Sequence, residues 1–184
     1  MRIAVVTGNP KPASRTHGVA LAVADTLAAA LAPNAPNAPA ALDPGLVSLV
    51  PQEPHLAVDL AEHASSLFDW SDAELTRLTA EVAAAGLAVF ASPTYKATYT
   101  GMLKAFLDRY GNNGLAGTVA VPVMTGGWPG HLLAVEVHLR PVLVELGATV
   151  PARGLYVTEP EFGNLDAAVA RWAETAVPLI RRAL

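Results

Sequence analysis

The chain has 184 residues, of which 52% are hydrophobic and 15% are charged, and this composition excludes global disorder. Its formal net charge of −4 argues against a general nucleic-acid binder. Because it contains no cysteine, thiolate catalysis, disulfides and cysteine-ligated metals are excluded. The length predicts a single domain over residues 1–184.

We expect a cytoplasmic protein that does not span a membrane. The apolar run at residues 2–6 is too short for a signal peptide and continues into a Gly/Pro turn without a cleavage pattern. The Ala-rich stretch 19–32 comes closest to a membrane span, but Asp25 and Thr26 in its middle indicate a helix of a soluble protein.

In chain order, the sequence predicts five apolar strands that alternate with five helices. An Asn-Ala-Pro stretch at 32–45 is expected to be a loop, and residues 52–70 match no pattern. The predicted strands are 2–7, 46–50, 87–91, 118–124 and 150–157. The predicted helices are 16–31, a helix from a capping box at 71–74 to Gly86, 101–110, 130–146 with an irregularity at Pro141, and 165–182.

This alternation is typical of an α/β protein with a parallel sheet covered by helices on both faces. Five strands in this length favour a flavodoxin-like three-layer sandwich of strand order 2-1-3-4-5 over a six-stranded dinucleotide fold. Ligands bind such sheets beyond the carboxyl ends of the strands, where the strand order reverses. The loops after strands 1, 3 and 4 are therefore the candidates for a binding site.

The loop after strand 1, residues 7–16, suits a phosphate. It leads into a helix N-terminus, where free amides and the helix dipole favour an anion. Ser14 and Thr16 add hydroxyls, and Lys11 and Arg15 add positive charge. The alternative is an ordinary turn with Ser14 as the N-cap. The loop lacks the glycine spacing of dinucleotide folds and of P-loops, which argues against those ligand classes.

The other two loops suit a planar ring. Residues 92–101 bring two tyrosines, several hydroxyls and backbone amides to a strand end, although Tyr95 and Tyr99 could simply anchor a surface loop. Gly126 and Gly127 allow close approach of the backbone to a ligand, or form only a tight turn. Taken together, the three loops fit a phosphorylated planar cofactor such as FMN.

Three motifs carry a family resemblance: GNPKPASRT at 8–16, PTYKATYTGMLKAFLD at 93–108 and TGGWPGHLLAVEVHLRPVL at 125–143. With them the chain resembles the NADPH-dependent FMN reductase family of flavodoxin-like proteins, over residues 1 to about 157. The most similar members are the reductases of two-component sulfonate monooxygenase systems. Relatives of this type often carry an inserted Tyr or His that makes a π-bulge at a tetramer interface. Here His138 occupies that role or lies one residue away, and the sequence does not tell whether a bulge forms.

The resemblance implies a role for each matched residue. The FMN phosphate would be held by the first loop, the isoalloxazine and ribityl region by the second, and the other edge of the flavin by the third. Lys11 replaces the usual Arg and Asn9 the usual Ser, and both changes predict weaker retention of FMN. In chain order, the implied FMN-binding residues are Asn9, Lys11, Ser14, Arg15, Thr16, Pro93, Thr94, Tyr95, Lys96, Thr125, Gly126 and Gly127.

The resemblance further implies hydride transfer from NADPH or NADH to FMN, without a catalytic acid or base. The spacing of the histidines predicts no metal site. Lys96 and backbone amides near Tyr95 and Gly126 would donate to the flavin. Reduced FMN would then serve a partner monooxygenase or another acceptor. A homodimer or tetramer is expected, because Tyr99, Met102, Phe106 and Tyr110 would otherwise be exposed.

Three alternatives stay open. The first is a quinone or azo reductase with tightly bound FMN. The second is a non-enzymatic flavodoxin-like electron carrier, against which the cations Lys11 and Arg15 argue. The third is a relative that binds no FMN, because Lys11 and Asn9 have impaired the phosphate site.

Overall fold

The computed structural model describes residues 2–32 and 55–184. Within these ranges the chain forms a five-stranded parallel sheet of order β2-β1-β3-β4-β5, with helices on both faces, as predicted. The strands are β1 Ile3–Thr7, β2 Leu56–Asp59, β3 Leu87–Pro93, β4 Val119–Gly126 and β5 Leu155–Thr158. The helices are α1 Arg15–Leu31, α2 Ala73–Ala84, α3 Gly101–Leu107, α4 Arg140–Glu145 and α5 Leu165–Ala183.

The sheet separates two hydrophobic cores. The central strands are apolar on both faces, because successive side chains of a strand point to opposite sides. Helices α1 and α5 pack on one face, against residues such as Val5 and Val89. Helices α2 and α3 pack on the other, where Phe90 and Leu103 are fully buried. The two layers hold the loops at the carboxyl edge on a rigid base.

The edge strands depart from the sequence prediction. The predicted strand 46–50 and the Asn-Ala-Pro loop lie outside the described residues, and β2 falls in the stretch that matched no pattern. Strand β5 begins at Leu155 and not at residue 150. The reason is that Arg140 takes the carbonyls of Val150 and Ala152 as acceptors, at 2.5 and 2.8 Å, and holds that stretch as a loop.

Helix starts follow the side chains that cap them. Ser14 is the N-cap of α1, as predicted, and its hydroxyl accepts from the amide of His17 at 3.2 Å. The predicted capping box at 71–74 is wrong by one residue. Asp72 caps α2 by accepting from the amide of Leu75 at 2.8 Å. Ser71 is not the cap, because its hydroxyl already donates to the carboxylate of Asp69.

The predicted helix 130–146 is divided into three pieces. A 3₁₀ turn at Pro129–His131 is followed by a π-helical segment, Val135–Leu139, and then by α4. Pro141 is the second residue of α4 and lies directly after the π-helical segment, whose last bond runs from the amide of Arg140 to the carbonyl of Val135. The question of a π-bulge is thereby answered, and His138 lies within the π-helical segment and is exposed.

The apolar surface expected after the second loop is largely internal. Phe106 is fully buried, and Tyr99, Met102 and Tyr110 are half-buried and pack against the core. Phe106 and Tyr110 meet edge to face at 5.9 Å, and burial raises the pKa of Tyr110 well above its ordinary value. These four residues therefore do not form the exposed face that the sequence predicted. In the described ranges no helix is both long and apolar enough to cross a membrane.

Candidate functional site

The three predicted loops meet at one cleft of about 310 Å³ at the carboxyl edge of β1, β3 and β4. All but one of the predicted site residues line it. The exception is Lys96, which is exposed on the second loop. Two lining residues were not predicted, Glu159 and Phe162. The lining consists of Asn9, Lys11, Ser14, Arg15, Thr16, Pro93, Thr94, Tyr95, Thr125, Gly126, Gly127, Glu159 and Phe162.

The first loop is held in shape by its own polar side chains. The buried Asn9 accepts from the amide of Lys11 at 2.9 Å and donates to the hydroxyl of Thr16 at 3.1 Å. Its side chain therefore fixes the turn that leads into α1. The first amides of α1 have no intrahelical acceptor, and Ser14 satisfies only that of His17. The arrangement leaves an anion-binding helix N-terminus with Lys11 and Arg15 beside it.

Asp59, at the end of β2, is a positioning residue that the sequence analysis missed. Its buried carboxylate accepts from the amide of Ala13 at 2.8 Å and from that of Ala61 at 3.3 Å. Ala13 has a φ of 48°, a left-handed conformation that a non-glycine residue rarely adopts. The carboxylate thus holds a strained residue of the first loop in place. No local spacing links residues 13 and 59, and only strand pairing brings them together.

The second loop contains a hydroxyl without a partner. The amide of Thr94 donates to the carbonyl of Thr125 at 2.7 Å, which joins the second and third loops. The Oγ1 atom of Thr94 is buried and has no hydrogen-bond partner among the described residues. Buried hydroxyls are nearly always hydrogen-bonded, so an unpartnered one on a residue that lines the cleft makes Thr94 a candidate to contact a ligand.

Beyond Thr94 the second loop reverses in a tight turn. The backbone of Tyr95 exchanges hydrogen bonds with that of Thr98, at 2.9 and 3.3 Å. Lys96 and Ala97 occupy the central positions with φ of 53° and 66°. This turn carries Lys96 away from the cleft. Strain of this kind is common at functional sites, where the surroundings enforce it.

The two glycines of the third loop have different surroundings. A Cβ at Gly126 would collide with the hydroxyl of Tyr156, so the close approach there is internal to the protein. A Cβ at Gly127 would meet only the carboxylate of Glu159, at 3.7 Å. The hydroxyls of Thr125 and Thr16 lie 2.8 Å apart and fasten the third loop to α1. All three loops are therefore joined by direct hydrogen bonds.

The fourth wall of the cleft comes from the 3₁₀ turn after β5, Glu159–Asn164. Its capping box is readable in the sequence as T-E-P-E at 158–161. The Thr158 amide and hydroxyl donate to Glu161 at 2.8 and 2.7 Å. These bonds, first that from the amide, lower the pKa of Glu161 below its ordinary value. This motif was the signal that could have revealed the wall.

The side chains at the cleft offer positioning and no acid–base pair. Its acidic lining residue, Glu159, is ion-paired with Arg15 at 3.2 Å. Within residues 2–32 and 55–184, no group of three or more His, Asp or Glu side chains could hold a metal ion. The site can therefore bind an anion beside the aromatic side chains of Tyr95 and Phe162, and the described residues that line it offer no acid–base pair.

Comparison with known proteins then places the chain. The profile of the family described as NADPH-dependent FMN reductase matches residues 1–161. The chain belongs to this family. The "NADH-dependent FMN reductase SfnF" of Pseudomonas putida is 30% identical over 162 residues, which cover 88% of this chain and 80% of that protein.

Other relatives match this chain over shorter stretches. The "FMN reductase (NADPH)" of Escherichia coli K12 is 41% identical over 73 residues, covering 40% of this chain and 38% of the relative. The enzyme of that name in Pseudomonas aeruginosa PAO1 is 34% identical over 114 residues, covering 58% and 61%. These two matches span less than two thirds of the relatives' own length.

Solved structures support the same placement. An NADH:FMN oxidoreductase (EMOB) in its apo form aligns with a TM-score of 0.78 and 26% identity, over 100% of this chain and 89% of that one. A flavodoxin, WrbA-like protein of Agrobacterium tumefaciens aligns with a TM-score of 0.60 and 16% identity, over 100% of this chain and 98% of that one. The second likeness concerns the fold alone.

Proposed function

We propose that this protein is an NAD(P)H-dependent FMN reductase, which transfers a hydride from the nicotinamide to FMN. The observation that carries the proposal is the cleft, which an anion-binding helix N-terminus and Thr94 line together, and the Thr94 hydroxyl has no hydrogen-bond partner within residues 2–32 and 55–184. Membership of the FMN reductase family supports the same activity. Some relatives are named for NADPH and others for NADH, so the hydride donor is either of the two cofactors.

The residues of the cleft fit FMN in kind. A phosphate monoester requires several donors and positive charge, and Ser14, Lys11 and the first amides of α1 supply them. The polar edge of a flavin requires donors and acceptors beside a flat cavity, and the Thr94 hydroxyl and the backbone of Gly127 lie there. When bound, FMN supplies the chemistry of hydride acceptance.

The chain's own residues then bind, orient and shield. Asn9 and Asp59 hold the phosphate loop in its binding conformation, so less ordering is needed on binding. The hydrogen bonds between Thr16, Thr125 and Thr94 fix the spacing of the three loops. Orientation of two reactants in one cavity is a large part of the rate enhancement available to such an enzyme.

An electron carrier without enzymatic activity is less well supported. The family match supports a reductase, and the cations Arg15 and Lys11 of the first loop argue against such a carrier, as they do in the sequence. We favour reduced FMN that dissociates to an acceptor, and the sulfonate-system resemblance suggests a monooxygenase as that partner. The need for a reduced nicotinamide cofactor fits the cytoplasmic location that the sequence predicts.

We further propose a homodimer or tetramer that forms through the segment around the π-helix. Trp128, Leu133, Val137 and Val144 are each more than half exposed, between 53% and 61%. The last three share one face by their spacing, and a monomer seldom exposes so many large apolar side chains together. Light scattering should give a mass above that of one chain of 19.0 kDa. Val137→Lys should lower that mass, whereas a wild-type mass near one chain would exclude the oligomer.

The activity is tested with purified protein stripped of ligand. NADPH or NADH oxidation is followed with and without added FMN. The proposal predicts turnover that depends on added FMN and saturates with it. Turnover that needs a quinone or an azo dye while FMN stays bound would support the alternative reductase. No turnover with any acceptor, despite FMN binding, would favour the electron carrier.

A further inference from the structure

An ion pair crosses the cleft at its mouth. Both terminal nitrogens of Arg15 donate to one oxygen of Glu159, at 3.2 Å each. The same guanidinium lies over the ring of Phe162, with its central carbon 4.6 Å from the ring centre. All three residues line the cleft. The first loop and the turn after β5 are thus connected through the side chain of Arg15.

Glu159 is presented to Arg15 by a preformed turn. The capping box of Thr158 and Glu161 fixes the backbone on either side of Glu159. A Cβ at Gly127 would lie 3.7 Å from Oε2 of Glu159, so this carboxylate reaches over the third loop. The carboxylate is therefore held in the same cavity as the anion-binding helix N-terminus.

A phosphate and a carboxylate compete for the same guanidinium. Arginine recognises either group through two parallel N–H donors, and Glu159 already accepts from both. Phe162 adds a cation–π contact that holds Arg15 on this side of the cleft. For Arg15 to offer a ligand phosphate the same two N–H donors, its bonds to Glu159 must first break.

We propose that Glu159 is an internal competitor of the FMN phosphate for Arg15. This inference rests on the proposed function, because it takes FMN as the ligand. Glu159 lowers the affinity for the phosphorylated flavin and re-forms its bond with Arg15 as FMN leaves. It thereby favours a flavin that is exchanged in each turnover over one that is retained.

The test compares FMN with riboflavin, which lacks the phosphate. Binding of each flavin is measured by fluorescence quenching for the wild type and for Glu159→Gln. Glu174→Gln is the matched control, because Glu174 is exposed on α5 and its substitution removes the same charge. An exposed ion pair is worth roughly 0.2–1 kcal/mol, so Glu159→Gln should bind FMN about 1.4- to five-fold more tightly. Riboflavin affinity should stay unchanged, and so should FMN binding by the control variant. Loss of the ion pair should lower the melting temperature of Glu159→Gln by at most about 4 °C.

A second pair of variants separates competition from simple charge repulsion. In an Arg15→Met background, Glu159→Gln should no longer tighten FMN binding, because the contested guanidinium is gone. The inference is overturned if Glu159→Gln leaves FMN affinity unchanged or weakens it. It is also overturned if riboflavin shifts equally, or if the effect persists without Arg15. A wild type that binds no FMN would overturn the proposed function as well, which distinguishes the two failures.

Discussion

Gly8 follows β1 at the point where the first loop leaves the sheet, and replacing it with alanine should strongly destabilise the protein. A Cβ there would collide with the Cβ of Leu103 and lie 2.9 Å from its Cα and N atoms, in the first turn of α3. The glycine cannot retreat, because its amide donates to Ala91 at 2.8 Å and its carbonyl accepts from Thr100 at 2.6 Å. Helix α3 would have to move instead.

The size of the effect follows from the atoms involved. Overpacking a core costs typically 1–3 kcal/mol, and a clash with backbone belongs near the upper end. We therefore expect Gly8→Ala to lower the free energy of unfolding by about 3 kcal/mol. In a protein of this length, that loss corresponds to a decrease in Tm of roughly 6–12 °C.

Gly18→Ala is the matched control, because a Cβ at this exposed position in α1 meets no atom within 4 Å. Alanine is the better helix former by about 0.8–1 kcal/mol, so this variant should be more stable than the wild type. Urea unfolding followed by circular dichroism measures both. If Gly8→Ala lost less than about 1 kcal/mol, or if both variants moved in the same direction, the packing argument would be refuted.

Three further predictions concern strain, an unpaired hydroxyl and a lowered pKa. Ala97→Gly should raise the free energy of unfolding by about 0.5–1 kcal/mol, because Ala97 has a φ of 66° that glycine adopts without strain. In the same urea titration, Ala80→Gly in α2 should lower the free energy of unfolding by a similar amount. Thr94→Val should leave the Tm of the ligand-free protein unchanged or higher but weaken FMN binding about ten-fold. Thr16→Val should lower the Tm, because the Thr16 hydroxyl is hydrogen-bonded to two neighbours. A Thr16→Val variant as stable as the wild type would contradict this. The depressed pKa of Glu161 means that its stabilisation is present at neutral pH and is lost as the pH falls below about 4.3. Glu161→Gln should therefore flatten the pH dependence of Tm below that pH.

The sequence predicted the parts of this structure that depend on local signals. Apolar runs for β1, β3 and β4 and the N-cap at Ser14 follow from residue type and spacing, and the structure has them. The three loops also come together as expected, because parallel strands place their carboxyl ends at one edge. The short β2 was not found, since four residues, Leu56–Asp59, give too weak a pattern.

The missing parts depend on contacts between distant residues. Asp59 supports Ala13, and Glu159 meets Arg15, only after the sheet has formed. Lys96 was assigned to the cleft by its place in a motif, but a left-handed turn carries it outward. Phe106 was expected at the surface but is fully buried. The residue spacing within one helix does not show which of its faces packs against the sheet. Sequence patterns therefore located the loops better than the individual side chains.

A crystal structure of the protein with FMN tests the central claim most directly. The account predicts the phosphate at the N-terminus of α1, beside Ser14 and Thr16, and the ring between the second and third loops, within reach of the Thr94 hydroxyl. Flavin bound at any other surface, or an empty cleft in crystals of a protein that binds FMN in solution, would contradict it.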